Sequence, residues 1–228
     1  MAAEPERVCI ILARSGSKRI KQKNIQQINS KSLVEYAIDC CVETKINTIL
    51  SSDSDQILEF GRNKPVQLHK RTSDNSTDLS SSESALIEVL SFFDISFETE
   101  IVLVPPTNPM RTSIDLLYFL DQWDTHAKPN GYDQGFSSLS IKNDFWFEEN
   151  QKYLRARDKI FNQIESRRSV ERSNLYLETS ALYVSSAELI YKGMSIVGSK
   201  PYPIELSRYA AFDIDTQIDL DIVRNILR

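Results

Sequence analysis

The chain has 228 residues and a formal net charge of −5, with 41% hydrophobic and 26% charged residues. These values exclude disordered and fibrous classes and suit one domain, or one domain with a modest insertion. The acidic balance argues against a nucleic-acid partner. No apolar run reaches the roughly 20 residues that cross a bilayer, and the first residues lack the apolar core of a signal peptide. We therefore expect a cytoplasmic protein with no membrane partner.

Apolar segments alternate with segments of helical period through the first half of the chain. Strands are predicted at residues 8–12, 46–50, 66–69 and 101–104, and helices at residues 33–41, 56–63, 82–93 and 112–123. Capping boxes are predicted at Ser80 with Glu83 and at Thr112 with Asp115. Strict alternation implies crossover connections, and hence an α/β fold with a mostly parallel sheet flanked by helices.

The rhythm changes after residue 128. Short strands are predicted at residues 135–141 and 181–185, a helix at 186–191, and a basic stretch covers 159–172. This pattern indicates a small inserted antiparallel subdomain, residues 135–200, within a main domain formed by residues 1–134 and 201–228. The chain then returns to regularity with a strand-like segment at 212–214 and a capping box, Thr216 with Asp219, for the last helix.

Cysteine and histidine are too few and too scattered for a zinc site. Cys9, Cys40 and Cys41 lack metal-ligand spacing and are predicted to be reduced packing residues. His69 and His126 have no partner at ligand spacing. We expect His126 to be a surface or capping residue.

A cationic loop follows the first strand. Gly16 and its flanking serines allow backbone N–H groups to approach an anion closely, and a burst of cations surrounds them: Arg14, Lys18, Arg19, Lys21 and Lys23. Such a loop suits a polyphosphate; the alternative is a solvated basic loop. The Walker A and GxGxxG spacings are both absent from the sequence, which argues against a P-loop ATPase and a dinucleotide-binding dehydrogenase.

Ligands of open parallel sheets lie at the carboxyl ends of the strands. Four segments are predicted to meet there: residues 14–24, 51–55 and 105–111, and the turn with Asp213 and Asp215. Cations on one loop and carboxylates on another are what a Mg²⁺–nucleoside triphosphate needs. Alternatively, Asp215 caps the last helix and Asp213 is a solvated edge residue.

Several motifs in chain order resemble the CMP-sialic acid synthetases (acylneuraminate cytidylyltransferases) and their relatives acting on pseudaminic, legionaminic and 3-deoxy-octulosonic acids. The motifs are ILARSGSKRIKQKN (11–24), LSSDSD (50–55), Arg71 with TDLSSS (77–82), PPTNPMR (105–111) and FDIDTQIDL (212–220). The resemblance covers nearly the whole length. It implies a nucleotide-diphospho-sugar transferase-like fold, and transfer of CMP from CTP to the anomeric hydroxyl of an acidic 2-keto-3-deoxy sugar, with release of pyrophosphate.

The resemblance also implies roles for individual residues. Lys23, Arg14 and Asp213 would be catalytic, and Asp213 with Asp215 would bind Mg²⁺; either Asp213 or a metal-bound hydroxide would take the proton. The nucleotide would be bound by Leu12, Ala13, Arg14, Ser17, Lys18, Lys23, Asn24, Arg71, Ser80, Ser82 and Thr107. Arg71 and the serines at 80–82 would read the cytosine.

The departures from the family pattern lie on the sugar side. Pro105 replaces a glutamine, Asn108 replaces a serine, and residues 177–180 replace an Arg-Pro-Asn-Gly run. The predicted acceptor-binding residues are Asn108, Arg111, Arg168, Thr179 and Tyr183, with Arg167 and Arg172 as further candidate cations. For the arginines at 167, 168 and 172, a solvated basic face is an equal alternative.

The resemblance further implies a homodimer in which the inserted subdomain completes the partner's sugar pocket. Aromatic residues at 145–147 and 153 suit an interface, or else form that subdomain's own core. Two other functions stay open: a nucleotidyltransferase with a sugar phosphate or phosphonate acceptor, and a non-catalytic homologue that binds CMP or CTP.

Overall fold

The computed structural model describes residues 6–72 and 81–228. Its strands are β1 (Arg7–Leu12), β2 (Gln27–Ile28), β3 (Lys31–Ser32), β4 (Asn47–Ser52), β5 (Gln67–Lys70), β6 (Glu100–Leu103), β7 (Gln134–Ile141), β8 (Trp146–Glu149), β9 (Lys152–Arg155), β10 (Leu175–Ser186) and β11 (Pro201–Glu205). Its α-helices are α1 (Leu33–Glu43), α2 (Asp55–Glu59), α3 (Ser82–Phe92), α4 (Ser113–Gln122), α5 (Ala156–Ile160), α6 (Ala187–Tyr191) and α7 (Gln217–Ile226). The alternation predicted for the first half is confirmed.

A central sheet runs in the order β11-β7-β10-β6-β1-β4-β5. Strands β5, β4, β1 and β6 are mutually parallel, β10 is antiparallel to β6 and β7, and β11 is parallel to β7. The predicted mostly parallel sheet is therefore confirmed. Strands β7 and β10, from the segment predicted as an insertion, belong to this sheet, and only residues 142–174 between them leave it.

Both faces of the sheet are covered by helices. Along β1, Cys9 and Ile11 pack with residues of α1 and α4, whereas Val8 and Ile10 pack with residues of α3 and α6 on the opposite face. Successive side chains of a strand point to opposite faces, so a strand covered on both reads as a continuous apolar run. Within the described chain, no helix is both long and apolar enough to span a bilayer.

The cysteines and His126 lie where the sequence predicts. All three cysteines are free and buried, and burial raises the pKa of the Cys40 thiol to about 11. His126 is exposed beyond the end of α4. None of these residues takes part in the site described below.

Two of the three predicted capping boxes are confirmed. Thr112 with Asp115 caps α4, and Thr216 with Asp219 caps α7. Ser80 lies outside the described residues. The cap of α3 is instead Ser81, whose hydroxyl accepts from the backbone N–H of Ser84, while Glu83 accepts from the backbone of Ile196. The predicted Ser80–Glu83 capping box is therefore wrong, and the N-cap lies one residue later, at Ser81.

Three predicted elements differ from the structure by more than one or two residues. Helix α2 ends at residue 59 rather than 63, because the chain tightens into turns around Gly61, where an added Cβ would lie 2.7 Å from Leu68. Strand β10 starts six residues earlier than predicted. Its pairing with β7 is interrupted by a bulge between Glu178 and Tyr183, where polar residues break the apolar pattern expected of a strand. Residues 212–214 form no strand: the backbone N–H of Phe212 donates to Tyr209 in a turn, and that of Ile214 donates to the loop residue Thr107.

Residues 142–174 form a polar excursion beside the sheet, built on the β8–β9 hairpin and α5. Two of its arginines are buried. Arg157 donates to three backbone carbonyl groups at 2.6–2.9 Å, and Arg155 bonds Asp144 at 2.7 Å. Irregular chain leaves carbonyl groups unpaired, and a guanidinium with five donors satisfies several at once. Both residues precede the predicted basic stretch, residues 159–172; within that stretch, Arg172 likewise donates to three backbone carbonyl groups, so this arginine too supports the irregular chain.

Strand β11 was missed because its segment contains two prolines. It pairs on only one side, with β7, at the edge of the sheet. Proline cannot donate to a ladder, but an edge strand leaves one row of backbone groups unpaired. The edge position explains why Pro201 and Pro203 are accepted there.

The glycine at position 135 is required by packing. A Cβ there would lie 2.9 Å from Val184 and 3.1 Å from Trp123, both buried. We expect Gly135→Ala to lower the free energy of unfolding by about 1–3 kcal/mol through overpacking, measured by denaturant titration. Gly16→Ala is the matched control, because a Cβ there would meet no atom within 4 Å. Equal stability of the two variants would contradict this account.

Candidate active site

The cationic loop leaves the carboxyl end of β1 and is fastened at two points. The Asn24 amide, on a short helix at Lys23–Ile25, donates to the carbonyl oxygen of Arg14 at 2.9 Å. The backbone N–H of Ser15 donates to Asp53, which follows β4, at 2.8 Å. Asn24 is buried, whereas Arg14 and Ser17 are half-buried and Lys18 is exposed. The loop thus has a closed base and cationic side chains at its rim.

The acidic turn lies against this loop. The Lys23 ammonium is 2.7 Å from the carbonyl oxygen of Ile214 and 3.4 Å from Asp215 Oδ1. Arg19 forms an ion pair with Asp215 at 2.8 Å. The backbone N–H of Ile214 donates to Thr107, at 2.9 Å. Segments almost 200 residues apart in sequence therefore meet at one point.

A small apolar core holds the three segments together. Ile20 of the cationic loop, Met110 of the loop after β6 and Ile214 of the acidic turn pack in one cluster, with residues of α1 and α7. Each segment thus contributes one buried side chain between its polar residues. Burial of an apolar side chain contributes roughly 1.5–3 kcal/mol to folding stability. These apolar contacts therefore hold the three segments in place, and the charged groups stay available for a ligand.

The three segments enclose a cleft of about 440 Å³. Its lining residues are Leu12, Arg14, Ser17, Lys18, Arg19, Ile20, Lys23, Asn24, Pro105, Pro106, Thr107 and Asp215. The predicted meeting of these loops at the carboxyl edge is therefore observed, and the fourth segment, residues 51–55, contacts the cleft loop through Asp53. Ala13, between the lining residues Leu12 and Arg14 in sequence, is fully buried.

Asp213 lies in an unfavourable environment for a charge. Burial raises the pKa of its carboxyl group, an effect opposed by Thr107 and Lys23 and increased by Asp215. Its Oδ1 is buried without a hydrogen-bond partner in the described part of the chain. A buried oxygen of this kind is what a bound cation completes. Residues 6–72 and 81–228 contain no cluster of three or more His, Cys, Asp or Glu residues that could hold a metal ion.

Arg71 lies beside the cleft rather than on its wall. It is 7% exposed, and burial lowers the pKa of its guanidinium, as does the nearby charge of Arg14. Its guanidinium donates twice to Ser51, to the hydroxyl at 3.4 Å and to the carbonyl oxygen at 3.1 Å. Ser82 is exposed at the first turn of α3, and Ser80 belongs to residues 73–80, outside the described chain.

Two of the predicted acceptor residues, Asn108 and Tyr183, lie near the acidic turn, and a third, Thr179, lies on β10 against β7. Asn108 is buried next to Thr107, and its Nδ2 has no partner among the described residues. The Tyr183 hydroxyl donates to Glu178 at 2.6 Å, and burial, Glu178 and Asp213 together raise the pKa of this phenol. Thr179 is buried and bonds Ser137.

The other two predicted acceptor residues do not reach the cleft. Arg111 is buried, and its Nη1 donates to the carbonyl oxygens of Pro105 and Ala181 at 3.1 and 2.6 Å. Arg168 lies in the 142–174 excursion, 76% exposed, in an ion pair with Glu171. Arg111 Nη1 is thus taken by backbone carbonyl groups, whereas its Nε is buried without a partner among the described residues. Arg168 lies on a solvated face, which was its alternative interpretation.

Two residues of the site were not assigned a role from sequence. Arg19 pairs with Asp215, and Asp53 anchors the cationic loop. Both residues lie within the motifs at residues 11–24 and 50–55, but a sequence motif does not show which of its charged side chains points into the site. A carboxylate just beyond a parallel strand was the only signal available for Asp53.

Comparison with curated proteins finds distant relatives along nearly the whole chain. An N-acylneuraminate cytidylyltransferase of Streptococcus agalactiae is 27% identical over 93% of this chain and 51% of the relative. The chain thus spans about half the length of this relative. A CMP-N,N'-diacetyllegionaminic acid synthase of Legionella pneumophila is 23% identical, over 96% of this chain and 95% of the relative.

Solved structures share the fold. A CMP:2-keto-3-deoxy-manno-octonic acid synthetase in complex with CTP superposes with a TM-score of 0.66 at 13% identity, covering 97% of this chain and 98% of the other. A 4-diphosphocytidyl-2C-methyl-D-erythritol synthase gives a TM-score of 0.70 at 13% identity, with both chains fully covered. The family described as Cytidylyltransferase matches residues 8–225, and the chain therefore belongs to the cytidylyltransferase family.

Proposed function

We propose that this chain is a Mg²⁺-dependent enzyme that transfers CMP from CTP to the anomeric hydroxyl of an acidic 2-keto-3-deoxy sugar, releasing pyrophosphate. The observation that carries the proposal is the position of Lys23, whose ammonium joins the cationic loop to the acidic turn across one cleft. Family membership supports CTP as the nucleotide. Relatives named for N-acylneuraminate and N,N'-diacetyllegionaminic acid support an acidic sugar as the acceptor.

In the proposed reaction, the acceptor hydroxyl attacks the α-phosphorus of CTP. A bond forms between the hydroxyl oxygen and the α-phosphorus as the bond from that phosphorus to the bridging oxygen breaks, and pyrophosphate leaves. The hydroxyl proton passes to the Asp213 carboxylate or to solvent. Arg14, Lys18 and Lys23 neutralise the triphosphate from the cleft wall. The open space around Gly16 lets phosphate oxygens approach the backbone N–H groups. Rate acceleration then comes from positioning of the reacting groups and from stabilisation of the charge on the phosphoryl group.

Asp213 and Asp215 would hold the metal ion. Both offer the carboxylate oxygens that Mg²⁺ prefers, and two protein ligands are usual where substrate phosphates and water complete the shell. The unpartnered Asp213 Oδ1 supports this assignment. When bound, the ion supplies positive charge to the phosphoryl group undergoing transfer.

A second acceptor class is favoured by one feature of the site. The cation predicted for an acceptor carboxylate, Arg111, is held by two carbonyl groups, and Glu178 places a carboxylate beside Tyr183. An acceptor without a carboxylate at this position, such as a sugar phosphate bound elsewhere in the cleft through its phosphate, fits that charge distribution. The acidic sugar remains our first proposal.

We also propose a homodimer formed through the 142–174 excursion. Phe145, Trp146 and Tyr153 are each about half exposed or more. Exposed aromatic side chains on one segment are typical of protein interfaces. A partner copy at this face is one source for an acceptor-binding cation in place of Arg111 and Arg168, neither of which lines the cleft.

The test is an assay of pyrophosphate release from CTP and Mg²⁺ with a panel of acidic sugars, extended to a sugar 1-phosphate and a phosphonate. We expect release with one of the sugar acids and a product whose mass equals the CMP ester. If no acceptor in the panel gives pyrophosphate release, while a related enzyme is active under the same conditions, the proposal is overturned. A product formed only from the phosphate or phosphonate arm would establish the second acceptor class instead.

A further inference from the structure

A buried polar chain stands behind Arg71. His69 of β5 is 1% exposed, and its Nδ1 lies 3.0 Å from the Ser51 hydroxyl of β4. That hydroxyl also accepts from Arg71 Nε. On the far side of the ring, His69 Nε2 lies 3.8 Å from Glu88 of α3. Groups on two strands and one helix thus converge on one guanidinium.

A hydroxyl has one hydrogen and two lone pairs, and an arginine N–H can only donate. The Ser51 hydroxyl therefore accepts from Arg71 Nε, and its own hydrogen can be donated to His69 Nδ1 when that nitrogen is unprotonated. This pattern needs a neutral imidazole with its proton on Nε2, facing Glu88. Burial and the charge of Arg71 both lower the pKa of His69, whereas Glu88 opposes them. The net lowering favours the neutral ring that this pattern requires.

The carbonyl oxygen of Ser51 connects Arg71 to the phosphate side of the cleft. It accepts from Arg71 Nη2 at 3.1 Å and from the backbone N–H of Ala13 at 3.0 Å. Ala13 is the first residue after β1, where the cationic loop begins. The Arg71 guanidinium and the start of the cationic loop are therefore bonded to the same carbonyl oxygen, which fixes their relative position.

The surroundings of His69 restrict its movement. Phe92, the last residue of α3, and Phe93, which follows it, pack against the ring, with centroids at 4.8 and 6.2 Å. Glu88 is held in turn by Thr72, which donates from its backbone N–H at 2.8 Å and from its hydroxyl at 3.1 Å. Thr72 directly follows Arg71, so both sides of the arginine are tied to the same network.

We propose that Ser51 and His69 are positioning residues that fix Arg71 for reading the base, and so set the preference for CTP over UTP. The inference rests on the proposed function. An arginine offers only donors. Cytosine presents adjacent acceptors, O2 and N3, whereas uracil carries N–H at position 3. A guanidinium held in one orientation discriminates between these two patterns; a guanidinium free to turn does not.

The test measures the dissociation constants of CTP and UTP directly by calorimetry, so it does not depend on the acceptor. We expect His69→Leu, which removes the acceptor for the Ser51 hydroxyl, to reduce the CTP-to-UTP preference by about tenfold. His69→Asn, whose amide oxygen can stand near the Nδ1 position, should restore most of it. His126→Leu, an exposed histidine remote from the cleft, is the control and should match the wild type.

Partial unfolding would weaken both nucleotides equally and leave their ratio unchanged, so the ratio separates positioning from stability. Ser51→Ala provides a second variant with a smaller packing change and should show the same loss of preference. Preference for CTP in the wild type that persists in His69→Leu and Ser51→Ala would overturn the positioning role alone. A wild-type protein that binds neither nucleotide would overturn the proposed function, and this inference with it.

Discussion

Lys23→Met should lower kcat for pyrophosphate release by about 10²–10³-fold, the usual effect of removing one group that stabilises transition-state charge. Methionine keeps the length of the side chain but removes the ammonium that lies between Ile214 and Asp215. Stability should change little, because the lysine is only half-buried and makes polar contacts rather than core contacts. Steady-state kinetics with thermal unfolding measures both quantities.

Lys21→Met is the matched control for Lys23→Met. Lys21 stands in the same loop, is exposed and does not line the cleft. We expect its kcat to remain within about threefold of the wild type, since surface charges away from a site act weakly through solvent. A Lys23→Met enzyme as active as the Lys21→Met enzyme would remove Lys23 from the mechanism.

The parts of the fold that the sequence predicts are those in which local pattern and tertiary packing agree. Residues 8–12 read as an apolar run because β1 is buried on both faces, and the boxes at Thr112 and Thr216 are complete within four residues. The predictions that failed depend on distant partners. Strand β11 forms because β7 has a free edge with which it can pair. Residues 212–214 form no strand, because Ile214 donates its backbone N–H to the loop residue Thr107 rather than to a neighbouring strand.

The site shows the same division. The cationic loop and the two aspartates could be found from charge type and from the resemblance. What could not be found is how each charge is used. Arg111 stands in the middle of a recognised motif, but its guanidinium is taken up by the carbonyl group of Ala181, 70 residues away. A motif records residue types, whereas the partner of a buried cation depends on which backbone groups the fold leaves unpaired.

The apolar residues between the charged ones explain why the motifs are as long as they are. Ile20, Met110 and Ile214 make no polar contact in the cleft, but they pack together and bring the three segments into register. A site assembled from distant loops needs such contacts, because fixing a loop has an entropic cost that polar groups in water recover poorly. Sequence alone gives no reason to select these residues from the other hydrophobic ones.

Asp213→Asn should reduce kcat by about 10³-fold and at the same time leave the protein as stable as the wild type or more stable. The activity falls because the amide replaces a carboxylate proposed to hold Mg²⁺. The stability rises because burial raises the pKa of the Asp213 carboxyl, so the ionised form opposes folding and its removal relieves that cost. Loss of activity with a gain in stability marks a residue retained for function.

The pH dependence of this stability difference, measured by thermal unfolding in EDTA, tests the physical cause. A carboxyl whose folded pKa is raised opposes folding fully above that pKa, and the penalty disappears as the pH falls below the unfolded value of about 3.9. The advantage of Asp213→Asn should therefore be greatest at neutral pH and vanish in acid. Asp219 is the opposite case, since its cap bonds lower its pKa, so Asp219→Asn should lose stability at neutral pH. If Asp213→Asn instead loses stability at neutral pH, as expected for Asp219→Asn, then Asp213 stabilises the turn and is not a carboxylate retained to bind a cation.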